Sequence, residues 1–139
     1  MKFKFLEHTA DAKFQAFGKT LEEAFSNAAL AMFNVITDTE DVMTSITKKI
    51  VVESENKEAL LYDFLSELLI LLDSVPFLLH AVDSIKIEKN KKYKLTAVVV
   101  GADNITSYPI NTDIKAVTYS EMFIKEEDAG VTIQVVVDI

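Results

Sequence analysis

The segment Leu68-Leu69-Ile70-Leu71-Leu72 closes a helical pattern and is apolar almost all the way round. A surface helix needs only one apolar stripe, so turns of this kind have to be covered on several sides. That predicts a layered fold in which this helix lies against sheet and against a second helix. The pattern covers Lys57 to Leu72, with Leu60, Leu61, Phe64 and Leu65 on one side of its early turns. It is entered at Ser54 to Asn56, and Pro76 ends it.

The second helix announces its own start. Thr20-Leu21-Glu22-Glu23 is a capping box, in which the Thr20 hydroxyl accepts from the Glu23 amide and Glu23 reaches back. Leu21, Ala24, Phe25, Ala28, Met32 and Val35 then share one stripe at helical spacing, and core packing is its expected use. Most of the remainder alternates as strands do. Lys2 to Leu6 and Ala12 to Phe17 form a first pair ended by Gly18, and Lys48 to Glu53 follows the polar loop Thr37 to Ser45. After Phe77 the chain reads as nearly all strand. Ile85 and Ile87 alternate with polar residues, and Tyr93 to Val100 returns after a Lys-rich turn at Glu88 to Lys92. A loop with Pro109 follows. Ile114 to Ile124 and Val131 to Val137 are expected to form a last hairpin around Lys125 to Gly130. The predicted class is α+β, one domain over residues 1–139, with two helices packed on antiparallel β-sheet.

Composition narrows the chemistry. The chain has no Cys, which rules out disulfides, thiolate zinc sites and thiol nucleophiles. All 14 basic residues are Lys, and the net charge is -8. An acidic chain without guanidinium forks is a poor binder of phosphate backbones, so no direct nucleic-acid binding is expected. With 3 Gly, a Gly-rich phosphate loop of the usual form is not available. Ser66 and Ser120 have no neighbouring base in sequence, and Glu126-Glu127-Asp128 reads as solvated charge in a turn. Charge interrupts the N-terminus at once, and the run Leu68 to Leu72 is far too short to cross a bilayer. A soluble, cytoplasmic protein without a membrane partner is the expectation.

Acid concentrates at both ends. Glu7-His8-Thr9-Ala10-Asp11 is a compact turn between two strand-like runs, and the last strand finishes on Asp138 and Ile139. Alternation puts Val131, Ile133, Val135 and Val137 on one face of that strand, and Thr132, Gln134, Val136 and Asp138 on the other, more polar one. The Asp138 side chain and the Ile139 α-carboxylate then lie one residue apart, and two fixed anions this close repel unless a cation bridges them. Two readings remain open: polar chain ends facing water, or one oxygen-rich site built from both ends. In the second, Asp11, Asp138 and the Ile139 carboxylate supply hard oxygen ligands for a divalent cation. His8 is either a hydrogen-bonding residue that orients the loop or a ligand that turns the site toward zinc or manganese.

These motifs together resemble the archease family. They are Glu7 to Asp11, Gly18-Lys19-Thr20-Leu21-Glu22-Glu23-Ala24-Phe25, Leu65-Ser66-Glu67-Leu68-Leu69, Lys115-Ala116-Val117-Thr118-Tyr119 and Val137-Asp138-Ile139, in the family's order over nearly the full length. The resemblance implies a cytoplasmic accessory factor of an RtcB-type RNA ligase, which promotes guanylylation and multiple turnover in tRNA splicing and RNA repair and is not itself an enzyme. It also implies metal ligands at Asp11, Asp138 and Ile139, with calcium as the ion. The chain departs from the family pattern in three places. Ala12-Lys13-Phe14 follows the acidic turn, Ser120 stands where His is common, and the long helix reads Leu61-Tyr62-Asp63-Phe64 where Trp or Arg is usual. Alternative functions are a metal-dependent hydrolase or nuclease, and a general chaperone-like interaction module.

Overall fold

Two antiparallel sheets share one apolar interior with two helices. The computed structural model describes residues 1–8 and 10–139. The chain runs β1 (Phe3–Leu6), β2 (Asp11–Gly18), α1 (Leu21–Ile36), β3 (Ile46–Ser54), α2 (Lys57–Ser74), β4 (Leu78–Lys89), β5 (Tyr93–Ala102), β6 (Ala116–Val117), β7 (Phe123–Glu127) and β8 (Gly130–Asp138). One sheet has the order β1-β2-β8-β6, with β7 also on β8; the other is β3-β5-β4. The α+β expectation therefore holds, with the sheet divided in two.

The cap of α1 forms as the sequence predicts. The Glu23 amide donates to Thr20 Oγ1 at 3.1 Å, while the Glu23 carboxylate accepts from the Lys19 amide at 3.0 Å, one residue before the cap. Thr20→Ala is expected to cost about 1 kcal/mol, read as a lower urea midpoint with an unchanged slope. The helix is anchored to the end of β2. Asn27 Nδ2 donates to the Phe17 carbonyl at 2.6 Å, and Gly18 lies so close that a Cβ there would sit 2.4 Å from the Ala24 amide nitrogen.

The buried surface of α1 is wider than its predicted stripe. Ala29, Ala31, Phe33 and Ile36 are buried beside Ala24, Phe25, Ala28 and Met32, whereas Val35 is half-buried. The cause is position, since α1 packs on β2 and β8 and also on β4. Helix α2 differs in the opposite sense. It lies on β3 and β5 and meets α1 through the stacked rings of Phe25 and Phe64, centroids 6.3 Å apart. Leu68, Leu69 and Leu72 are buried, but Ile70 is 54% exposed, so its apolar last turns are covered on fewer sides than expected.

The segment Ile114 to Ile124 is not one strand. Only Ala116–Val117 and Phe123–Glu127 pair with β8, and a turn at Thr118 to Met122 separates them. Thr118 ends the first piece by giving both its amide and its hydroxyl to the Val136 carbonyl, and Glu121 then adopts φ +53°. The following hairpin is tighter than expected, with Glu127 opposite Gly130.

Candidate metal site and its support

Strand β8 is central, and its register decides which side chains meet. Asp11 is directly opposite Asp138, Lys13 opposite Val136, and Gln15 opposite Gln134. Directly opposed residues share a face with Cβ atoms about 4.5–5.5 Å apart. The two ends of the chain thus converge, as the sequence suggested, and two acidic residues share one face of the ladder. On its other side Asp138 pairs with Ala116, and its carbonyl accepts from the Lys115 amide at 2.7 Å. Asp138 is held from both flanks. Ile139 follows it with its side chain packed against the core.

The acidic turn is fixed from across the fold. Thr9, in its middle, lies outside the described residues. His8 Nε2 is 2.8 Å from Glu121 Oε2, and Lys13 Nζ is 3.1 Å from Glu121 Oε1. One carboxylate thus ties the turn, β2 and the Thr118–Met122 turn together. Ala10 has φ +66°, a left-handed conformation that costs an alanine about 1 kcal/mol. On its other side, His8 Nδ1 lies 3.6 Å from Asp11 Oδ2. Nδ1 is buried and has no hydrogen-bond partner among the described residues.

The His8 hydrogen bond, then that of Lys13, holds the Glu121 carboxyl below its ordinary value of 4.5. A depressed carboxylate stabilises the fold above its unfolded value and stops doing so as pH falls through the folded value. Acidification below about pH 4.5 is therefore expected to release the turn. Glu121→Gln should remove this pH dependence and speed exchange of the Asp11 amide at neutral pH, both read by NMR.

The donor set suits a hard cation. Like charges placed directly opposite across two strands are mutually unfavourable without one. Among the described residues, no three His, Cys, Asp or Glu side chains converge at metal-holding distance. Further ligands for an ion at Asp11 and Asp138 would come from backbone carbonyls, water, a partner or, in the expected set, the Ile139 carboxylate. His8 is engaged by Glu121, as expected of a loop-orienting residue. Sequence reasoning missed Glu121 and Lys13. The signal available was the polar pair Ser120-Glu121, which breaks the strand-like alternation before Met122 and Phe123.

A β2–β8 ladder with Asp11 opposite Asp138, in a two-sheet α+β domain with two helices, defines the class of protein to which this chain is compared. The model of the Archease protein family (MTH1598/TM1083) matches residues 3–139, and the chain belongs to that family. It is 48% identical to the protein archease of Methanosarcina barkeri over 141 residues, covering 99% of this chain and 96% of the relative. It is 36% identical to that of Danio rerio over 140 residues, covering 99% and 85%. The solution structure of Methanobacterium thermoautotrophicum protein 1598 superposes with a TM-score of 0.85 at 37% identity, covering 99% of each chain. The crystal structure of a Thermotoga maritima archease, described as a possible chaperone, gives 0.60 at 22% identity over 98% of this chain and 96% of that one, a likeness of fold. No helix among the described residues is long and apolar enough to cross a membrane.

Proposed function

We propose that this chain is a cytoplasmic, non-catalytic protein cofactor that binds a divalent cation, calcium, at Asp11, Asp138 and the Ile139 carboxylate. In this reading it activates an RtcB-type RNA ligase by promoting its guanylylation and repeated turnover. The observation that carries the site is the direct opposition of Asp11 and Asp138 in the β2–β8 register. Membership of the archease family supports the accessory role. A bound calcium ion would supply a hard positive centre for oxygen ligands. The chain's own residues do the rest. The β2 and β6 ladders fix Asp138 from both sides, and Glu121 holds His8 beside Asp11.

The absence of Cys, of Arg and of a phosphate loop leaves little machinery for nucleotide transfer within the chain, which favours a partner as the site of chemistry. Guanylylation of the cognate ligase, followed with labelled GTP, tests the reading. Added chain is expected to raise both the rate and the number of turnovers. Identical progress curves with and without it would reject the ligase partnership.

A further inference from the structure

The Lys115–Tyr119 motif ends on a residue that the metal site does not use. Tyr119 is 54% exposed and stacks on Tyr62 of α2, with ring centroids 4.4 Å apart and 6° between planes. One face of the Tyr119 ring is therefore covered and the other meets water. Asp63 follows Tyr62, and its carboxylate is held by Ser54, whose Oγ donates to Oδ2 at 2.5 Å. Burial first, then Asp63 and Tyr62, push the Tyr119 hydroxyl up from its ordinary value, so the Asp63 carboxylate is within electrostatic reach of that hydroxyl. Lys57, five residues before Tyr62, does not relieve this. It is paired with Glu126 and lies 6.0 Å over the ring of Tyr93.

A rigid aromatic face beside a fixed carboxylate attracts cations. Its flatness selects among them. A guanidinium stacks in parallel on such a ring and still presents N–H groups at its edge to a carboxylate, whereas an ammonium is a strongly hydrated point charge. A neutral or acidic occupant would leave Asp63 uncompensated. We propose that the open face of Tyr119, backed by Tyr62 and flanked by Asp63, is the receptor for an arginine side chain on the protein partner. The partner's identity rests on the ligase reading above; the receptor does not. The Thr118–Met122 turn carries both Tyr119 and Glu121, so a partner docked on Tyr119 lies on the same turn that supports the acidic site.

The first test uses the isolated chain and N-acetyl-arginine amide. Ring protons of Tyr62 and Tyr119 should shift saturably in NMR spectra, further than with N-acetyl-lysine amide. The shift of the Tyr62 ring should persist in Tyr119→Phe, weaken in Asp63→Asn and vanish in Tyr119→Leu. Equal responses to the two amides, or an undiminished response in Tyr119→Leu, overturn the receptor. The second test is affinity for the cognate ligase by calorimetry. Tyr119→Leu should weaken it about thirtyfold, the loss expected of a desolvated cation–π pair, and Tyr119→Phe should restore it. Unchanged affinity in Tyr119→Leu, with a melting curve like that of the parent chain, overturns the docking role. Failure of the parent chain to bind the ligase rejects the proposed function instead, and the arginine-amide titration then decides the receptor alone.

Discussion

Replacing Gly101 by Ala is expected to destabilise the fold by about 3 kcal/mol or more, the upper end of what overpacking a core costs. Gly101 lies on β5, the central strand of its sheet, between Ile46 of β3 and Leu79 of β4. A Cβ there would sit 1.9 Å from the Leu78 carbonyl oxygen and 3.0 Å from the Phe77 ring. The first obstacle is backbone and cannot rotate away. Relief requires β4 to move, yet Leu78 and Leu79 are fully buried. For a chain of this size the loss corresponds to a fall in melting temperature of roughly 10 °C. A melting temperature within a degree or two of the parent would show that the approach of β4 to β5 is looser than described.

Asp138→Asn is expected to act in opposite directions on metal binding and on intrinsic stability. Removing one of the three proposed carboxylates from an oxygen site lowers affinity steeply, here by about tenfold to a hundredfold for calcium, because ligand charge count sets affinity in such sites. In chelator the same change removes a like-charge pair placed directly opposite across β2 and β8. Cross-strand pairs are worth roughly 0.2–1 kcal/mol, so the metal-free variant should melt at the same temperature or slightly higher. Appending residues after Ile139 should weaken calcium binding for a related reason, by converting the α-carboxylate to an amide. Calorimetry with calcium and thermal melts in chelator separate the two effects. Undiminished calcium affinity in Asp138→Asn removes Asp138 from the ligand set.

The helices were legible because their signals are local. Thr20 and Asn56 cap them where side-chain acceptors stand before apolar periodic runs. The meeting of Asp11 and Asp138 was half legible. Alternation placed Asp138 on the polar face of its strand, but only the register shows that Asp11 is the residue opposite. That face is also less polar than it reads, since Val136 is buried on it and Gln134 nearly so, the latter donating to the Glu121 carbonyl. The break at Thr118 was hidden because Val117, Met122 and Phe123 keep the strand pattern going. What interrupts it is tertiary: Thr118 bonding back to Val136, and Glu121 turned toward His8 and Lys13. The splitting of one sheet into two was equally hidden, since alternation states that a strand has two faces and not which neighbour it takes.

In the proposed function, an RNA ligase partner responds to the Asp11–Asp138 site. RNA joining by the cognate RtcB-type ligase at limiting concentration measures this directly, with the parent chain, with Asp11→Asn, and with neither. The parent chain should carry the ligase through many turnovers. Asp11→Asn, folded and with a melting temperature in chelator at or slightly above that of the parent, should leave the ligase at the level reached alone. Full stimulation by Asp11→Asn would keep the partnership and contradict the role given to the site.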